Sequence, residues 1–474
     1  MSLLVSLLNQ YKIFLIGVFL VLISFLVTYD VPFFWDALSK SERATWFYEH
    51  NFSNWVVPTE INSGHPPFWT LLLAFTWKIF GRTLLVSRLL LLLLNIGVVY
   101  QIHLLITTNK IKNIPWYWYL ILFIEPTYLA QTTILNNDVL MLLMCLAAYN
   151  LIKKNRLLYS LAITGVLFCN LRGMFFYMGF FAFDIISYLR THKGVKNIHK
   201  HIYPYIFPIS CFALFLFYQY SVLGWIIKSP SAIEHRSLVD VKHFFINIIA
   251  TIRVFADYGR FLFWIVVFYS FVLCIRQKKH LDKKTKELVL LWLCFFVINV
   301  SIMLLSTNPI GHRYFMILYI IGLLIFVNVI FNVLHKKRLT YLCFWMSVGS
   351  LLSGHFWIYP ETISQGWDSS LAYLNYFDLK KKMHLYVKNH QISLDSIGTK
   401  TWNPKANIEY LQEKNSEVYI GDADSSKFKY YVHSNVENRT KDEEIFVLQN
   451  QWTLIKEYKK NGVFVRLYKS PGIE

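Results

Sequence analysis

A few short polar clusters interrupt a largely apolar chain, and each holds a side chain able to do chemistry. Asp36 follows Phe33-Phe34-Trp35 just past the first apolar run. A carboxylate at a boundary between hydrocarbon and water gains basicity by partial desolvation, which suits a base that takes a proton from a hydroxyl. Its competing role is a helix N-cap, because Asp favours that position and Ala37 to Ala44 read as helix. Asn137-Asp138 open a later apolar run and pose the same choice, between a metal or substrate contact and a cap. His65, ahead of Pro66-Pro67, offers an imidazole for hydrogen bonding or metal ligation. Arg172 and the pair His312-Arg313 lie at the ends of apolar runs. A guanidinium forks onto phosphate oxygens, although at a membrane edge it also snorkels to headgroups. Glu234-His235-Arg236, Asp240, Lys242, His243, Asp257 and Arg260 are further candidates to line a pocket. Glu125, before Pro126, is a carboxylate inside an apolar run, either functional or paired with a neighbour.

What must position these residues is a membrane bundle. With 55% hydrophobic and 18% aromatic residues, the chain is too apolar for a soluble globule, and runs of about 20 apolar residues recur along it. The net charge of +19 is carried by short clusters between those runs, which is the positive-inside pattern and excludes nucleic-acid binding. All six cysteines fall in apolar runs, so neither a disulfide framework nor a zinc site is spelled out. The first run lacks a small-residue cleavage site and reads as a retained anchor.

The expected spans are 12–28, 84–107, 115–135, 138–152, 157–171, 173–189, 203–223, 261–275, 287–305, 313–334 and 339–358. The run 66–80 is different: at 1.5 Å per residue it covers roughly 22 Å, short of the ~30 Å hydrocarbon core. If it does not cross, Lys110/Lys112, Lys153/Lys154/Arg156, Arg190 to Lys200, Arg276 to Lys286 and Lys336 to Arg338 all share one side. The expected fold is therefore mainly α, a polytopic membrane helix bundle of about eleven spans plus a juxtamembrane or re-entrant helix. The N-terminus lies inside. Outside lie the first loop 29–82, the turn 136–138, the loop 224–260, the turn 306–312 and the C-terminal 359–474.

Two domains follow, 1–358 in the membrane and 359–474 as a small soluble α/β unit. Helix is expected at 370–390 and 405–414, and β-like stretches at 417–420, 445–448 and 463–467. No internal repeat is visible.

Trp35-Asp36 after the first span, His65-Pro66-Pro67-Phe68 leading into Leu71 to Gly81, and Asn137-Asp138-Val139-Leu140 together resemble the GT-C superfamily of polytopic glycosyltransferases. The likeness is to bacterial members related to protein O-mannosyltransferases and aminoarabinose transferases; His312-Arg313-Tyr314 resembles a later motif. It covers the first 155 residues or so, and the rest by topology only. The resemblance implies an integral-membrane inverting glycosyltransferase of the bacterial plasma membrane, with its active site and C-terminal domain outside. The donor it implies is a polyprenyl-phosphate sugar and the acceptor a hydroxyl on a lipid, glycan or protein. Carried over by motif, Asp36 becomes the base and Asp138 a metal or acceptor contact; Asn137, His65, Arg172, His312 and Arg313 stand beside Asp138 as the candidate substrate- or metal-binding residues. A divalent metal cation is the only cofactor in view, with Asp138 and His65 as candidate ligands. Some relatives carry an acidic residue before the Pro-Pro step, where Gly64-His65 stand here, so that ligand has no counterpart.

Two rival readings are weighed against this one. A polysaccharide polymerase or ligase would carry a large outer loop late in the chain. A lipid or glycan transporter would show two similar halves and ionisable groups at mid-span. Here the candidate acid follows the first span, no halves are visible, and only Glu125 lies deep.

Overall fold

The computed structural model describes residues 2–110, 114–192, 197–230, 237–278, 280–334, 337–400, 428–436 and 438–472, with side chains from Tyr11 onward. Expected features at Glu234-His235-Arg236, 405–414 and 417–420 lie outside the described residues. The chain is mainly helical and ends in a small sheet.

α1 (Ser2–Thr28) packs along α4 (Leu84–Asn109). Between them in the chain α2 (Asp36–Glu49) and α3 (Phe68–Phe80) form a hairpin that packs helix on helix. α3 buries Trp69, Leu73, Ala74 and Trp77 and exposes Phe75, Ile79 and Phe80. The expected span 115–135 is not one helix. Trp116–Ile124 is 3₁₀, and Glu125-Pro126 breaks it before α5 (Pro126–Gln131). Proline at the first helical position and a Glu125 carboxylate accepting from the Tyr128 N–H at 2.6 Å explain the restart.

α6 (Asn137–Leu151), α7 (Arg156–Cys169), α8 (Gly173–Thr191) and α9 (His199–Leu223) follow as neighbouring helices. Gly173 is required where α8 begins, because a Cβ there would lie 1.9 Å from the Val166 carbonyl oxygen. The expected loop 224–260 instead contains α10 (Val241–Ala256), bent 91° from α11 (Arg260–Arg276). Lys242, His243, Asn247 and Arg253 break up the apolar run along the sequence, which is why the hydropathy pattern hides it. The bend is sited at Gly259, where a φ of 78° disfavours a side chain and a Cβ would lie 1.9 Å from the Ser350 carbonyl oxygen. α12 (Lys283–Leu304), α13 (Met316–Val333) and α14 (Lys337–Ser353) complete the bundle, with α13 buried along nearly its whole length.

Among the described residues five helices are long and apolar enough to cross a bilayer, or six if α10 and α11 count as one bent span. That is fewer than the eleven expected. α6 and α7 have 15 and 14 residues, about 21–23 Å at 1.5 Å per residue, and fall short of the ~30 Å core as α3 does.

Both ends of the bundle carry ion pairs. Where α6 runs out, Lys153 meets Glu287 of α12 at 2.7 Å; nearby Arg156 meets Asp184 of α8 at 2.5 Å, and His201 of α9 joins Asp184 at 2.8 Å. The opposite ends of α6 and α8 carry Asp138 and Arg172.

The C-terminal part comprises α15 (Asn375–Asn389), α16 (Asp442–Asn450) and the strands β1 (Ile397–Thr399), β2 (Tyr430–Ser434), β3 (Thr453–Lys460) and β4 (Val463–Lys469), in the order β1-β2-β4-β3. β1 and β2 are parallel; the other pairs are antiparallel. The stretch 445–448, expected as β, lies in α16. Three acidic residues in its first turn and a Glu444 carboxylate accepting from the Lys441 N–H at 3.0 Å override the β-favouring side chains. The sequence boundary at 358 is not a physical gap. Tyr373 stacks on Phe34 at 4.6 Å, and Gln131 donates to the Asp368 carbonyl at 2.8 Å.

Glu125 and Arg260 form a fully buried ion pair at 2.6 Å, so this carboxylate is satisfied rather than open to a pocket. Removing Arg260 alone (Arg260→Met) leaves a buried charge and is expected to cost about 3–5 kcal/mol, whereas Glu125→Gln with Arg260→Met should recover most of it. Thermal midpoints of the wild type and the two variants in detergent check this; equal losses in the single and double variants would contradict it.

Candidate active site

Asp36 is the first residue of α2, and Trp35 before it has φ 50° and ψ −125°, a conformation that costs a non-glycine residue roughly 1–3 kcal/mol. The carboxylate does not cap its own helix. It takes a hydrogen bond from Nη2 of Arg313. The capping role is thereby set aside for Asp36, and likewise for Asp138: Asn136 is the N-cap of α6, while Asp138 Oδ1 accepts from Arg172 Nη2 at 2.8 Å.

Arg313 is the hub. Its Nη2 meets Asp36, its Nη1 lies 2.9 Å from Asp368, and its Nε lies 3.7 Å from Asp138 Oδ2. Three carboxylates thus share one guanidinium, each on a different nitrogen. Its side chain is 10% exposed and that of Asp36 is 51% exposed, so Asp36 is the member of the group that faces outward. Arg172 stacks on the Tyr314 ring at 3.8 Å, and the Arg313 guanidinium lies 5.5 Å from the same ring. Asp368 is the functional candidate that sequence reading missed; it sits in a 3₁₀ turn, Trp367–Ser369, with no motif around it.

The expectation of raised basicity at Asp36 is corrected. Arg313 beside it holds the carboxyl well below the usual range, against a smaller opposing effect of burial, with Lys40 adding to the depression. Asp36 is therefore ionised and, with Arg313 in place, a weak base.

Lys40 lies one turn along α2 and is buried. Its ammonium donates to the side-chain carbonyls of Asn136 and Asn137, the latter at 2.7 Å. Asn137 also donates to the Cys169 carbonyl at 3.0 Å. Its amide thus ties α2, α6 and α7 together and is not available as the substrate contact expected of it. Burial pushes Lys40 down to about 7, against the pull of Asp36 and Asp138. An unfolded lysine titrates near 10.4, so between about pH 7 and 10.4 the unfolded chain holds a proton that the folded one has lost, and stability rises with pH through that window. We expect the wild-type thermal midpoint to gain on that of Lys40→Met between pH 7 and 9.5. Parallel pH dependences would remove Lys40 as the cause.

Two sequence candidates lie elsewhere. His312 faces away from Arg313 and its Nε2 bonds Asp257 Oδ2 at 2.9 Å, with the Tyr359 hydroxyl on the other oxygen. It braces the α10–α11 bend and is no phosphate ligand. His65 Nδ1 accepts weakly from the Leu171 N–H at 3.4 Å. It lines a cleft with Arg43, Trp55, Asn62 and Gln219, separate from the one bordered by Asp138. The two proposed metal ligands are thus not brought together. Among the described residues no group of three His, Cys, Asp or Glu side chains could hold a metal, and the three carboxylates converge on a guanidinium instead. The residues present do not fit a divalent cation.

The cleft at Asp138 has Arg172 and Arg313 at a polar rim, Asn170 buried beside them, and apolar walls that include Met141, Leu142, Phe176 and Ile317. A charged mouth over an apolar wall suits an anion carried on a hydrocarbon chain. Comparison with protein-family models, with curated proteins and with solved structures returns no match to this chain.

Proposed function

We propose that the chain is an integral-membrane glycosyltransferase that moves a sugar from a polyprenyl-phosphate donor to an acceptor hydroxyl, with inversion. The observation that carries this reading is Arg313, shared by Asp36, Asp138 and Asp368 at the polar rim of an apolar cleft. The donor phosphate binds Arg172 and Arg313 while its chain lies along the apolar wall. A phosphate competes with Asp36 for Arg313, because a guanidinium pairs bidentately with phosphate oxygens. Asp36, released from its suppressing partner, then regains basicity where it is needed.

The step balances simply. The acceptor hydroxyl gives its proton to Asp36 and its oxygen bonds the anomeric carbon. The bond from that carbon to the phosphate oxygen breaks with its electron pair on the phosphate, where the two arginines meet the charge. Polyprenyl phosphate leaves. The basic clusters around Lys153 and Arg156 lie at the far end of α6 and α8 from Asp138 and Arg172. With the positive-inside bias, this supports an N-terminus inside and a site and C-terminal unit outside.

Mass spectrometry of envelope lipids and glycans tests this in cells with the chain, without it, and with Asp36→Asn. A polyprenyl-phosphate sugar should accumulate, and one glycan or lipid lose a residue, in the second and third cases. Unchanged lipid-linked sugar pools would end the transferase reading. In that event a polymerase or ligase would be sought in chain-length distributions, and a transporter in the sidedness of the lipid.

A further inference from the structure

Asn170 is the residue of the cleft whose chemistry is unused. It is the extended residue that closes α7, it is 1% exposed, and neither Oδ1 nor Nδ2 meets a hydrogen-bonding group. A buried amide without partners is a standing cost to the fold, and such a group calls for an explanation. It borders the same cleft as Asp138, whose Oδ2 likewise receives no hydrogen bond and has only Arg313 Nε at 3.7 Å.

The kinds of atoms left over are informative. Asn170 Oδ1 and Asp138 Oδ2 only accept, and Asn170 Nδ2 only donates. A phosphate diester offers acceptors alone, so it could serve Nδ2 but neither oxygen. A hydroxyl both gives and takes, and a pair of hydroxyls on a ring would serve all three atoms. The charge of a phosphate is matched instead by Arg172 and Arg313 on the same rim.

We propose that Asn170 and Asp138 Oδ2 form a hydroxyl-reading subsite for the sugar ring of the lipid-linked donor, and that Asn170 sets which sugar is accepted. This rests on the donor reading given above. A site built to pair a substrate hydroxyl discriminates strongly, because an analogue lacking it leaves buried polar groups bare. An ordered water would satisfy the same atoms, and the experiment separates the two.

The purified full-length chain in detergent is titrated with polyprenyl phosphate and with a panel of its hexose and pentose esters. In the wild type at least one ester binds more tightly than the bare lipid phosphate. Asn170→Ala weakens that ester by about 10- to 100-fold and changes the bare lipid phosphate by no more than about two-fold. The ligand-free thermal midpoint of Asn170→Ala stays level or rises, since a group without partners has been removed; a purely structural asparagine would lower it. Asn170→Leu, of nearly the same volume but without either polar atom, gives the same loss on the ester alone and serves if the alanine variant does not fold. Equal losses on both lipids, or none on either, overturn the subsite and leave the donor reading standing. A wild type that binds neither lipid overturns the donor reading and the subsite with it.

Discussion

Arg313→Ala is expected to abolish transfer and to destabilise the protein at once. The guanidinium is nearly buried and holds Asp36, Asp138 and Asp368 on three different nitrogens. Without it, three carboxylates face one another with Arg172, Lys40 and Arg43 as the neighbouring cations that remain. Breaking a buried pair by removing one partner costs about 3–5 kcal/mol, since the survivor keeps its desolvation penalty. Arg313→Lys separates charge from geometry. An ammonium restores the positive charge but is a point on a flexible stem and cannot reproduce a three-way fork. We expect Arg313→Lys to recover part of the thermal midpoint yet to remain at least about 100-fold slow, the usual loss when one preorganised donor to developing charge is removed. Its dependence on donor concentration should shift with it. A lysine variant with normal turnover and normal donor dependence would mean that Arg313 only anchors the helix end at the headgroups.

How much of this was legible in the sequence depended on distance along the chain. Asp36, Asp138, Arg172 and Arg313 were readable because a charged side chain at the end of an apolar run stands out against its surroundings. Their grouping was not, because Arg313 and Asp36 are 277 positions apart. Asp368 escaped notice for the complementary reason: it lies among polar residues beyond the last apolar run, where one more acid carries no contrast. Asn170 was invisible because an amide is informative only when its partners are known to be missing. His312 shows the opposite error. Adjacency to Arg313 suggested a shared role, but consecutive residues of the 3₁₀ turn His312–Phe315 point apart, and His312 reaches Asp257. The bundle was legible as a class and not in its count of crossings, since the break at Glu125-Pro126 and the shortness of α6 and α7 depend on where helices stop. Hydropathy reports composition well and helix ends poorly.

Asp36→Asn should lower transfer by about 100- to 10,000-fold, the range ascribed to a positioned base, with the fold preserved. Preservation is expected because Arg313 keeps Asp368 at 2.9 Å and Asp138 nearby when the charge at position 36 is removed. The wild-type pH profile carries a sharper signature than the mutant rate. In the free protein Arg313 holds Asp36 below the ordinary carboxylate range, so the group stays ionised as pH falls through the region where an unperturbed aspartate would take a proton. In the donor complex the phosphate competes for that guanidinium, and the Asp36 pKa climbs back. Since kcat/KM reports the free protein and kcat the bound complex, the acid limb of kcat should lie at higher pH than that of kcat/KM. Weakening the clamp should bring the two limbs together from the other side: in Arg313→Lys the limb of kcat/KM moves up while that of kcat moves little. If both wild-type limbs coincide, the phosphate does not draw Arg313 away from Asp36. The carboxylate then either works as a weak base with the clamp in place or is not the base at all, two cases that the residual rate of Asp36→Asn tells apart.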